Sequence, residues 1–84
     1  MTFTVVVEVS LRTGIADPEG ATIERALPAL GFQGISQVRA GKCFRLNIEA
    51  ASETEALERA IALADRLLSN PVIEQSSARI EARA

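Results

Sequence analysis

Residues Ser52 to Glu74 read SETEALERAIALADRLLSNPVIE, and this stretch decides the fold. Ser52 and Glu55 stand at the S-x-x-E spacing of a capping box, in which a hydroxyl and a carboxylate satisfy the first free amides of a helix. Leu57, Ala60, Ile61, Ala64, Leu67 and Leu68 then recur at three- and four-residue steps. That spacing places them on one face of a helix, with Glu58, Arg59, Asp65 and Arg66 opposite. The small Ala60 and Ala64 let such a helix approach a sheet closely. Asn70 is the expected left-handed cap, and Pro71 forbids continuation. An amphipathic helix that stops this sharply, with an apolar-acidic run straight after it, belongs in a layered α+β domain.

Working outward, Phe3, Val5, Val7, Val9 and Leu11 alternate with Thr4, Val6, Glu8, Ser10 and Arg12, which is the period of a half-buried strand. Val6 breaks the polar face, so that face is not wholly wet. Thr13 to Gly20, TGIADPEG, is a turn that opens a helix, with Asp17 as N-cap and Pro18 in the first turn. Ile23, Ala26, Leu27 and Leu30 give this helix an apolar stripe. Pro28 cannot donate to the carbonyl of Glu24 and distorts the last turn, and Gly31 closes it in a left-handed conformation. The pattern predicts a hairpin next, Ile35 to Arg39 against Cys43 to Ala50, turning at Ala40-Gly41-Lys42 with Gly41 at positive φ. Phe44, Leu46, Ile48 and Ala50 share one face of its second strand. Ser76, Ala78, Ile80 and Ala82 alternate in a last strand. The expected architecture is one domain, residues 1–84, with βαββαβ order. It is a two-layer sandwich related to the ferredoxin-like fold, with two helices on one face of an antiparallel sheet.

Composition narrows the function. Eighty-four residues bury about 60–65% of the surface of the unfolded chain, so the core is thin and association with a partner or a second copy is expected. A net charge of −2 argues against nucleic-acid and anionic-membrane partners. One cysteine excludes an internal disulfide, no apolar run reaches the length of a membrane span, and the N-terminus has no basic n-region, which together point to the cytoplasm.

The inventory of reactive groups is short. Histidine is absent, so Cys43 has no imidazole to activate it, and it reads as an incidentally exposed strand residue. Glu8 and Glu49 could meet across strands as an acid pair, but solvated surface charges are the commoner use. Neither a metal-ligand set nor a Walker loop is present, and Lys42 with the amides of its turn offers at most an anion contact. These residues describe a non-catalytic module without saying what it serves.

Four spans add that: LRTGIADPEG (Leu11 to Gly20), ALPALGF (Ala26 to Phe32), VRAGKCFRL (Val38 to Leu46) and LLSNPVIEQ (Leu67 to Gln75). In order and without gaps they resemble the PurS family, a subunit of phosphoribosylformylglycinamidine synthase. That family shows Asp-Pro-x-Gly, Leu-Gly-aromatic, Arg-x-Gly-Lys and Leu-Leu-x-Asn-Pro-Val-Ile-Glu at these places. Arg12 stands where lysine is usual, and Ala16, Ser69, Gln75 and Ser76 also depart from the pattern.

The resemblance implies a subunit without catalytic residues or a cofactor of its own, in a complex that uses ATP and magnesium. That complex makes formylglycinamidine ribonucleotide from formylglycinamide ribonucleotide and glutamine. The implied partners are a second copy of the chain, as a homodimer or homotetramer, and the glutaminase and large synthetase subunits that it bridges while ammonia passes between them. Nucleic acid and membrane are not implied partners. The candidate interface or turn-motif residues are Asp17, Pro18, Gly20, Arg39, Gly41, Lys42, Asn70, Pro71, Val72, Ile73 and Glu74. A homodimeric amino-acid-binding regulatory module, with its ligand near Gly14 to Gly20, is the competing expectation.

Overall fold

A computed structural model describes residues 1–83. Strand β1 (Thr2–Leu11) lies at the centre of a three-stranded antiparallel sheet, between β2 (Gly41–Glu49) and β3 (Glu74–Arg83). The alternation read in β1 holds. Phe3, Val5, Val7 and Val9 are each at most 1% exposed and face helix α2 (Glu53–Leu63) and the turn that continues it, which present the fully buried Ala56, Ala60 and Ala64. Methyl-sized side chains let the helix backbone settle close to the valines, so this small core is dense. Val6, on the opposite face, is also buried. Its ladder partners are Arg45 and Arg79, whose aliphatic stems are placed to cover it while their charged ends pair with Glu81 and Glu8.

One half of the capping box forms as the sequence implies, and the other reaches one residue past the cap. Ser52 Oγ accepts from the Glu55 amide at 3.2 Å, and Glu55 Oε2 accepts from the Ala51 amide at 3.1 Å. The far end of α2 differs from the expectation. Residues Ala64–Leu68 wind as a π-helix, and both the amide and the hydroxyl of Ser69 donate to the Ala64 carbonyl. One extra residue in the turn shifts the 3.6-residue phase, so Leu67 leaves the buried stripe and is 74% exposed. Asn70 is not the left-handed cap. Extended Ser69 ends the helix, and Asn70 instead accepts at Oδ1 from the Val72 amide, an Asx turn.

Helix α1 (Pro18–Ala26) starts on Asp17 and ends before Pro28, which opens a short 3-10 turn, Pro28–Leu30, closed by Gly31 at φ 89°. All three features match the sequence. The α+β class, the antiparallel sheet and the βαββαβ order of segments also hold, but the second β segment, 35–39, forms no ladder among the described residues, and Gln37 in its middle stands at φ 56°, outside the extended region. No hairpin turns at 40–42. Gly41 opens β2 opposite Ser10, and it lacks positive φ. A glycine is needed there because a Cβ would stand 2.7 Å from the Val9 carbonyl oxygen. In β3 a bulge moves Ala82 opposite Thr4, off the core face expected for it. Glu8 and Glu49 lie far apart along the strands, opposite Cys43 and Thr2, so they form no acid pair.

Within one chain the helical layer over the sheet is α2, which packs mainly on β1 and β3; α1 leans on the turn that follows it. The residues between Asp17 and Ala40 therefore stand out as an arm. The molecule measures 50 × 28 × 15 Å, with a radius of gyration of 16.1 Å where about 12 Å is typical of 84 residues.

Candidate functional site

Three of the motifs meet at one end of the sheet because of the register of β1. Its last pairs are Ser10 with Gly41 and Leu11 with Glu74, so the segment 39–42 and the segment 70–74 flank the same strand end. The turn carrying Asp17, Pro18 and Gly20 follows directly from that end.

Asp17 is the hub on one side. Its Oδ1 accepts from the Gly20 amide at 2.9 Å, its Oδ2 accepts from the Ala40 amide at 2.8 Å, and Arg39 Nε lies 3.9 Å away. The side chain is 6% exposed. The Gly20 amide first, then the Ala40 amide and the Arg39 charge, hold its carboxyl below the ordinary aspartate value against the opposing effect of burial. A depressed carboxyl stabilises the fold above its unfolded pKa and loses that contribution as pH falls through its folded value. The gap in amide protection at Ala40 between the natural protein and Asp17→Asn is therefore expected to be full at neutral pH and to close as pH falls below the ordinary carboxylate range, read by amide exchange at each pH.

On the other side, Glu74 is the hub. Its Oε1 accepts from the Asn70 amide at 2.7 Å, and Lys42 Nζ lies 3.7 Å from its Oε2. The Asn70 carbonyl accepts from the amides of Ile73 and Glu74. Arg12 grips the corner from β1, with Nε and Nη2 donating to the Pro71 carbonyl at 3.0 and 2.8 Å. Arg12 was not among the candidate residues. The signal for it was the lysine usual at that place in the resemblance, since either cation can donate to a carbonyl.

These pairings change the reading of the basic residues. Arg39 and Lys42 each face a carboxylate of their own chain, so the anion contact considered for this turn finds its charge already countered from within. Cys43 is exposed, as expected, on the outer face beside Glu8. What the cross-linked end offers to the outside is apolar. Val72 is 80% exposed and Ile73 37%, and Leu67, turned outward by the π-helix, is exposed a few residues before them in the chain. A second apolar surface runs along the arm, where Ile23, Leu30, Phe32 and Ile35 are 45–70% exposed. Single exposed apolar residues are ordinary, but four on a protruding arm are an unfilled contact surface. This equipment suits holding other proteins rather than breaking bonds.

Comparison with known proteins places the chain. The family model described as PurS, phosphoribosylformylglycinamidine (FGAM) synthase, matches residues 4–82. The phosphoribosylformylglycinamidine synthase subunit PurS of Archaeoglobus fulgidus is 42% identical over 71 residues, covering 84% of this chain and 89% of the relative. The crystal structure of the Thermotoga maritima purS subunit superposes with a TM-score of 0.87 at 33% identity, covering 95% of this chain and 92% of that one. A chain in the structure of PurLQS from the same organism also gives 0.87, at 32% identity, with 95% and 98% covered. The protein belongs to the PurS family of FGAM synthase subunits.

Proposed function

We propose that this chain is the non-catalytic subunit of an FGAM synthase of the PurLQS type, acting as a homodimer that bridges the glutaminase and the ATP-dependent synthetase so that ammonia passes between them. The observation that carries the reading is a fold whose motif residues Arg12, Asp17 and Glu74 are engaged in fixing its own shape while Val72 and the apolar residues of the arm are left outside. A similar chain occurs in the PurLQS structure of Thermotoga maritima, which supports those two partners. Bridging has a chemical purpose, because ammonia released into water protonates to ammonium and loses its nucleophilicity. ATP belongs to the synthetase in this reading, and the cytoplasm is where the pathway runs.

The dimer rests on the arm. Over β2 the core-facing Phe44 and Leu46 are only half covered, and α2 leaves room beside it. The stripe of α1 lacks a floor in its own chain, and the half-covered β2 lacks a roof. A second copy supplies both, and a symmetric exchange of arms buries the two surfaces at once. The free edge of β2 offers sheet pairing in addition.

The corner from Asn70 to Glu74, with Leu67, is then the face left for the other subunits. The test is sedimentation of the chain with purified glutaminase and synthetase. A ternary complex is expected, and replacing Leu67 and Val72 together by aspartate should abolish it while the dimer persists. A ternary complex indifferent to that pair would remove the corner from the interface, and no complex at all would refute the bridging role.

A further inference from the structure

The arm leaves the sheet at Asp17 and returns at Ala40, and the buried core contains no residue from between those points. Something other than core packing must set its angle. Two carboxylates do the joining. Asp17 Oδ2 accepts from the Ala40 amide at 2.8 Å, and Glu24 Oε1 accepts from the Val38 amide at 2.9 Å. Seven residues apart, the two acids lie along one side of α1 and meet amides two residues apart in the return segment, Glu24 at Val38 and Asp17 at Ala40, so the segment runs back antiparallel to the helix. Gly20 makes the approach possible, because a Cβ there would overlap the Val38 carbonyl oxygen. Arg39 braces the same joint beside Asp17.

We propose that Asp17 and Glu24 form a two-carboxylate clamp that presets the angle of the arm for self-association, acting as positioning residues rather than as supports of the sheet. This rests on the dimer reading above. A clamped arm is already in the shape that the second copy needs. A loose arm is competent only part of the time, and the apparent dissociation constant rises by the inverse of that fraction. In a symmetric dimer both copies suffer the loss, so a drop of roughly tenfold in the competent fraction weakens association about a hundredfold.

The experiment compares the natural protein with Asp17→Ala, Glu24→Ala and Glu24→Gln, measuring the dimer dissociation constant by sedimentation and amide exchange at Val38, Ala40 and the β1 valines. Both alanine variants should lose protection at Val38 or Ala40, keep it across β1, and associate roughly ten- to a hundredfold more weakly. Glu24→Gln keeps an acceptor oxygen and should behave as the natural protein does. Unchanged association in both alanine variants, or protection at Val38 and Ala40 that survives them, overturns the proposal. Should the natural protein itself stay monomeric at every concentration, the dimer reading fails together with the assembly half of the clamp. Amide exchange at the two sites then still decides whether the joint exists.

Discussion

Phe3→Ala is expected to leave much of the protein unfolded at 37 °C. Phe3 is the largest side chain of the core, 1% exposed, on the central strand and under the guanidinium of Arg83, which lies 5.7 Å from the ring centroid. Truncating a buried phenylalanine costs about 3–5 kcal/mol. A domain of 84 residues has only about 4–12 kcal/mol to lose. The cavity would also be hard to close, because α2 already meets the sheet through alanines that have no reach to fill it. Urea unfolding of the isolated protein checks this. A midpoint shift equivalent to less than about 1 kcal/mol would mean that the core is not centred on β1.

Gly20→Ala is the second large effect, and it differs in kind. The added methyl would overlap the Val38 carbonyl oxygen and stand 2.6 Å from Asp17 Oδ2. The first clash is with backbone, so no rotamer change relieves it. Overpacking of this sort costs about 1–3 kcal/mol where the neighbours cannot part, and here a shift of the arm away from α1 relieves it without unfolding the sheet. Alanine is otherwise a better helix former than glycine, so propensity alone predicts stabilisation, and the two accounts make opposite forecasts. The expected result is a displaced arm, measured as lost amide protection at Ala40 and weaker self-association, with the urea midpoint of the sheet little changed. A stabilised protein with an intact arm would show that the approach of residue 38 to α1 is looser than described.

Much of this was legible in the residues because the interactions concerned are local. The alternation in β1, the capping box at Ser52 and Glu55, the N-cap at Asp17 and the stop at Gly31 each depend on neighbours within a few positions. The segment Ile35 to Arg39 reads as a strand because Ile35 and Val38 lead into a glycine turn and a clear strand, but Gln37 stands at φ 56° and breaks the extended run. No ladder forms with the outer edge of β2, which the order β2-β1-β3 leaves free. Leu67 kept its helical period in the sequence, and a single inserted residue of π-winding took it out of phase. Asn70 has the composition of a left-handed cap, yet its side chain found a nearer amide at Val72. The candidate interface was legible in part. Its motifs could be listed, but that Lys42 would be countered by Glu74 follows from the β1 register, which sets a β2 end and a β3 end on either side of one strand end, and Arg39 meets Asp17 because the turn after β1 folds back onto Ala40.

The central claim is that this chain couples two partners and performs no chemistry. Product formation by the glutaminase and synthetase, assayed with and without this chain, first with glutamine and then with an ammonium salt, tests it most directly. Glutamine-driven synthesis should depend on the chain while ammonia-driven synthesis runs largely without it. Equal rates from glutamine in its presence and absence would contradict the account.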